Sequence, residues 1–275
     1  MEKTIEELLN FSIINIDKPS GPTSHKVVSN IRRILRIKKA GHFGTLDPKV
    51  TGVLPIALGR ACRLSGYFMK KDKEYLGKMY LHKDIDINTL KKEMNEFIGK
   101  INQKPPRKSS VKRVNRIREV EEFKILKKED KIVSFQAKVE AGTYIRKLIS
   151  DLGDKIGGAH MIELRRIRAG LFIETKSFRP EEVESAYNKY LKGNDKELRN
   201  MLIPAEIVQD LFPKINVKEE FLKEFLNGRP IYKKDIIGKY QIYDKMSVLC
   251  GERFIEIAKS VDEGEIIAVP EFVLN

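Results

Sequence analysis

Apolar residues recur along this chain with two periods, and the change of period marks its elements. Residues 131–139 alternate: Val133, Phe135, Ala137 and Val139 fall on one face, Ser134, Gln136 and Lys138 on the other, as in a half-buried strand. Val27, Val28, Ile31, Ile34 and Leu35 recur instead with helical spacing, behind Thr23 or Ser24 as a cap. Ile145, Leu148, Ile149 and Leu152 repeat that spacing after a turn at Gly142-Thr143. Residues 12–16 and 75–81 predict strands, and 53–58 is an apolar run fit for burial. Helices are predicted over 90–98, over 180–191 behind Pro180, and near 195–202, with a short polar helix or arm over 1–10.

The character changes after Pro213. A short helix over 219–226 ends at Asn227-Gly228, and β-rich runs follow at 240–243, 246–249, 254–258 and 265–269. This predicts a large domain over 1–213 and a small β-barrel over 214–275.

Charge narrows the class of partner. The 275 residues carry 53 Lys+Arg against 39 Asp+Glu, a formal net charge of +14, which points to a polyanion such as nucleic acid. Much of the excess is local: residues 100–118 hold eight Lys/Arg, among them Lys108, Lys112 and Arg113, and no acid. A Pro-Pro there forbids a continuous helix, so the stretch reads as an extended segment suited to phosphates. A solvated basic face is the plainer reading. Cys62 and Cys250 stand far apart, and His25, His42, His82 and His160 show no metal-ligand spacing, so no metal is expected. The charged N-terminus and the lack of a long apolar run predict a soluble, cytoplasmic protein without a membrane partner.

One stretch stands out for chemistry. Residues 40–55 carry a single acid, Asp47, among Gly41, Gly44, Pro48, Gly52 and Pro55, which predict tight turns rather than a regular element. A carboxylate on a shaped loop can react, but a lone Asp in a loop more often caps a backbone N–H.

Six motifs in order alter that balance: DKPSGPTSH at 17–25, GHFGTLDPKVTGVLP at 41–55, KEY at 73–75, QKPPRKSSVKR at 103–113, GTYIRKLISDLG at 142–153 and LRRIRAG at 164–170. Together they resemble the TruB family of pseudouridine synthases, and within it the archaeal and eukaryotic branch that includes dyskerin. The C-terminal segment is similar to a PUA domain by pattern and position. Fewer residues precede the DKP motif than in most of that branch, and only residues 82–88 stand where the bacterial enzyme carries a long insertion.

The resemblance implies an α+β catalytic domain around a bent, mostly antiparallel sheet, followed by the small PUA-like barrel. It implies isomerisation of uridine to pseudouridine in RNA, with no cofactor. By family position Asp47 is the essential carboxylate and Arg146 its cationic partner in a closed pocket. Tyr75 stacks on the target base and Tyr144 acts near it in proton transfer. Leu164 is an apolar wall, His42 fills the space left by a flipped base, and Lys18 with Pro19 braces the loop. Arg165 and Arg166, with the basic 100–118 stretch, are expected to contact RNA. Asp47 could add covalently to sugar or base, or remove a sugar proton. The implied setting is an H/ACA guide-RNA particle with small protein partners, acting on rRNA and/or tRNA. A stand-alone tRNA pseudouridine-55 synthase is the alternative, and a non-catalytic RNA-binding or RNA-folding protein the rival of another class.

Overall fold

The computed structural model describes residues 3–105, 112 and 114–274. They fall into two compact units, Met1–Ile203 and Pro204–Asn275. The junction lies before the one expected at 213/214, because the 3-10 turn Ala205–Leu211 belongs with the second unit. There the Ser247 hydroxyl donates to the Gln209 carbonyl at 2.9 Å.

The first unit opens with α1 (Ile5–Asn10), β1 (Phe11–Lys18), α2 (Ser24–Ile34), β2 (Ala40–His42) and β3 (Thr51–Gly59). Then come α3 (Ser65–Met69), β4 (Lys73–Leu81), α4 (Ile87–Asn95), β5 (Gly99–Gln103), β6 (Arg116–Glu129) and β7 (Ile132–Val139). It closes with α5 (Ile145–Ile156), β8 (Ala159–Ala169), β9 (Phe172–Ile173), α6 (Pro180–Tyr190), α7 (Lys196–Met201) and β10 (Leu202–Pro204). The caps follow local chemistry. Thr4 and Glu7 form a capping box on α1, and the Thr23 hydroxyl accepts the Lys26 N–H on α2.

One sheet runs through this unit in the order β10-β1-β3-β8-β4-β7-β6-β5, with β2 on β3 and β9 on β8. The stretches β1-β3 and β8-β4-β7-β6-β5 are antiparallel ladders. They meet at a short parallel pairing of β3 with β8, Thr51 against Arg165 and Gly52 against Arg166. Gly52 (φ +99°) is required there: a Cβ would stand 2.2 Å from the Arg166 carbonyl oxygen. The core cluster contains Val27, Ile31 and Ile34 of α2 with Ile14 of β1 and Leu54 of β3; it continues through Leu148 and Leu152 of α5 to Phe135 of β7.

Two expectations need correction. Residues 40–55 are not loop throughout: β2 and most of β3 lie within them, and only 43–50 is turn. The long strands β6 and β8 carry dense charges that hide their alternation. In β8 Leu164, Arg166 and Ala169 are the buried positions. Residues 240–243 form no strand.

The second unit comprises β11 (Lys214–Val217), α8 (Leu222–Leu226), β12 (Ile231–Tyr232), β13 (Ile236–Ile237), β14 (Lys245–Cys250), β15 (Arg253–Glu263) and β16 (Ile266–Val273). Its strands form a barrel-like sheet in the order β12-β16-β15-β14-β11-β13, around Val217, Phe225, Met246, Val248, Ile255 and Ile267.

Glu256 is anomalous within it. The residue is 0% exposed, and neither carboxyl oxygen has a hydrogen-bond partner. Burial pushes its pKa from 4.5 up to about 8. Between those values the folded chain keeps a proton that the unfolded chain releases. Stability therefore falls as pH rises from about 4.5 to about 8, by an amount on the order of a few kcal/mol. Glu256→Gln is expected to raise the melting temperature by several degrees at pH 8 and by almost nothing at pH 5. Thermal unfolding at both values checks this; an equal gap at both would contradict it.

Candidate active site

The turn at 43–50 joins β2 to β3 and is fastened by its backbone. Phe43, Leu46 and Val50 are buried, with Phe43 stacked on Phe68 at 4.7 Å, while Thr45, Asp47, Pro48 and Lys49 are exposed or partly so. Lys18 is fully buried. Its ammonium donates to the carbonyls of Pro19, Pro48 and Val50 at 2.8, 2.9 and 2.9 Å. Burial lowers its pKa, and the charge of Asp47 opposes that shift. The Ser24 hydroxyl donates to the Leu46 carbonyl and accepts the Leu46 N–H. Thus the DKPSGPTSH segment holds both arms of the turn, with Thr23 capping α2 and Ser24 free to hold Leu46.

Arg166 supplies the third brace. It is 1% exposed; its Nε donates to the Val53 carbonyl at 2.7 Å and its Nη2 to the Gly44 carbonyl at 3.1 Å. The expected RNA contact is corrected here: a buried guanidinium spent on backbone carbonyls positions the turn and does not meet phosphate. Arg165 beside it is one-third exposed, its side chain at 33%. It chelates Asp17 at 2.9 and 3.0 Å and also donates to Glu174, so two carboxylates offset its charge.

Asp47 presents its carboxylate from this braced turn to Arg146, with which it forms an ion pair. The two residues are 99 positions apart. Arg146 is the second residue of α5, and β5 fixes that helix end: Tyr144 N–H donates to Gln103 Oε1 at 3.0 Å, and Gln103 Nε2 donates to the Tyr144 carbonyl at 3.3 Å. The closed pocket expected around Asp47 is open in the free chain, since the two side chains are 53% and 52% exposed.

Beneath the turn, Tyr75 of β4 pairs with Arg166 of β8, and Gly77 with Leu164. By strand alternation Tyr75, Leu164 and Arg166 share one face. Tyr75 and Leu164 are buried in the free chain as part of the core. Tyr144, half-buried, stands one residue before α5. His42 ends β2, its ring edge-on to His25 at 5.1 Å and both its ring nitrogens buried without a partner. Burial first, then the charges of His25 and Arg166, hold its pKa below the usual value, so the ring is neutral. Lys73 is also buried. Burial foremost, with the Arg166 charge, pulls it down to about 8, while its ammonium donates to the carbonyls of Met69 and Lys71. Lys112 is exposed; Lys108 and Arg113 lie outside the described residues.

A carboxylate fixed by its backbone, paired with one guanidinium and open to solvent, can attack an electrophilic carbon or accept a proton. The TruB family pseudouridylate synthase N-terminal domain matches residues 32–145, and the tRNA pseudouridylate synthase B C-terminal domain matches 146–209. A probable tRNA pseudouridine synthase B from Korarchaeum cryptofilum is 40% identical over 277 residues, covering 100% of this chain and 83% of the relative. The chain belongs to the TruB family of pseudouridine synthases. It is therefore an enzyme that isomerises uridine in RNA. The TruB relative from Methanocaldococcus jannaschii is 38% identical, covering 100% of this chain and 80% of its own length. The DKCLD domain matches residues 1–28. Among solved structures, a Cbf5-Nop10-Gar1 complex superposes with a TM-score of 0.90 at 36% identity, covering 99% of this chain and 87% of that one. An H/ACA RNP bound to a substrate RNA containing 2'-deoxyuridine gives 0.89 at 34%, covering 99% and 88%.

Proposed function

We propose that Asp47 is the reacting carboxylate of this TruB-type synthase, paired with Arg146 and facing a uridine flipped out of its RNA. The ion pair on the braced turn carries this reading. The reaction breaks an N-glycosidic bond, turns the base and rejoins it through carbon, so one group must first act on the sugar or base. A flipped nucleotide would cover the open pair, strip its water and strengthen its attraction. Tyr75 then forms the floor for the base, Leu164 an apolar wall, and Tyr144 a hydroxyl near the base. His42, neutral and with free ring nitrogens, suits the space the base leaves. Lys18 and Arg166 hold the geometry and touch no substrate. Lys108, Lys112 and Arg113 would track the phosphate backbone.

The setting proposed is an H/ACA guide-RNA particle, with small proteins on the catalytic unit and the second unit serving as a PUA-like RNA-binding module. Similarity to the two solved complexes supports this, and the unpaired Cys62 and Cys250 suit a cytoplasmic setting. The curated relatives are named as tRNA enzymes, which favours tRNA as a second substrate. Assay of the purified chain on unmodified tRNA, and on an rRNA target with and without matched guide RNA and partner proteins, decides between them. The expected result is turnover of the rRNA target only with its guide. Efficient turnover of tRNA alone, with none guided, would favour the stand-alone enzyme.

A further inference from the structure

A second cleft, of about 520 Å³, lies at the other end of β3 from the turn. Five cations line it: Arg36, Lys38 and Lys39 from the link between α2 and β2, and Arg60 and Arg63 just after β3. The Gly59 N–H donates to the Lys39 carbonyl at 2.9 Å, which places this cleft where the β2–β3 ladder ends. The far end of the turn, where Thr51 begins β3, lies roughly 25 Å from Gly59 along the strand, while the near end at Phe43 follows Lys39 by four residues. The lining is not a uniform basic surface. Glu6 is its sole acid among the described residues, and that carboxylate accepts the Tyr190 hydroxyl. Tyr187 and Tyr190, with ring centroids 5.7 Å apart, stand beside Leu9 and Leu35 as an apolar wall.

Arg36 adds a second observation. It follows the end of α2 at φ +52°, in the left-handed region where glycine sits without strain. An arginine there carries backbone strain that glycine would not, and its exposed side chain lines the cleft. Exposed Arg36, Lys38 and Lys39 beside the partly exposed Tyr190 match a sugar-phosphate strand: guanidinium and ammonium groups take phosphates, and a ring takes ribose or base.

We propose that this cleft binds the phosphodiester backbone of RNA at a point remote from the reacting uridine, fixing how a long RNA lies on the catalytic unit. The proposal rests on the reading of the 43–50 turn as the reacting site. An acidic protein segment would be the other kind of occupant, and the test separates the two.

In the full chain, Arg36→Gln, Lys38→Gln and Lys39→Gln are combined. Binding and single-turnover pseudouridine formation are measured with a full-length tRNA and with a minimal hairpin carrying the same uridine but too short to reach the cleft. Turnover of the hairpin by the unaltered chain tests the reacting site independently. Affinity for the full-length RNA is expected to fall at least tenfold, and the slope of log affinity against log salt to flatten by roughly two, with hairpin binding and turnover unchanged. Arg36→Gly, which relaxes the backbone, should weaken full-length RNA binding without lowering the melting temperature. Full-length binding and salt slope equal to the unaltered chain's would overturn the proposal and leave the cleft to an acidic protein. Equal weakening of the hairpin would overturn it too, as would weakening in Arg36→Gly only alongside a lower melting temperature.

Discussion

Arg146→Gln is expected to lower single-turnover pseudouridine formation by at least about a hundredfold while shifting the melting temperature by no more than a degree or two. The two halves of this prediction differ because the ion pair lives in two environments. In the free chain both side chains are half exposed, so water screens the pair and its contribution to folding is at most about 1 kcal/mol. Under a bound nucleotide the same carboxylate loses that water. Removing one partner of a desolvated pair costs about 3–5 kcal/mol, and each 1.36 kcal/mol at the barrier is about tenfold in rate. Arg146→Lys should recover only part of the loss, because a point ammonium replaces a planar fork. Unaltered single-turnover rates in Arg146→Gln would remove Arg146 from the site.

Much of this site is legible in the sequence, because its motifs are local. Asp47 sits within GTLDP and Arg146 within GTYIR, and each segment can be recognised without knowing that they meet. The α2 and α5 helices are legible for a similar reason: their apolar spacing repeats within one element. What binds the turn is not local. Lys18 reaches carbonyls 30 and 32 residues away, Ser24 a backbone 22 away, and Arg166 carbonyls 113 and 122 away. Nothing in a run of amino acids distinguishes an arginine that braces backbone from one that meets phosphate. LRRIR therefore reads as a basic surface, although Arg166 is interior and Arg165 is held by Asp17 and Glu174. The same density of charge hides strand β8. Exposure of the Asp47 carboxylate is likewise a property of the assembled cleft, set by how far α5 stands from the turn. Gln103 is a further case: within QKPP it looks like part of a basic tail, yet it fixes the start of α5 and hence the place of Arg146.

The separation of duties within the turn gives the account its sharpest consequence. Lys18, Ser24 and Arg166 hold the backbone at Gly44, Leu46, Pro48, Val50 and Val53, and none of their hydrogen bonds uses the Asp47 side chain. Asparagine at position 47 keeps the shape and loses the charge, so the turn should keep its form and folding stability should move by about 0.5 kcal/mol or less. RNA affinity should change little, since one exposed negative charge is removed from a strongly basic protein. An amide cannot act as the attacking carboxylate or accept a proton as one does, so the chemistry has no substitute. The decisive measurement is nucleoside analysis of RNA after a single-turnover incubation with Asp47→Asn in excess, with binding to the same RNA measured in parallel. The predicted result is RNA bound within about threefold of the unaltered chain's affinity and no detectable pseudouridine. Pseudouridine formed at a comparable rate by Asp47→Asn would contradict the assignment of Asp47 as the reacting group.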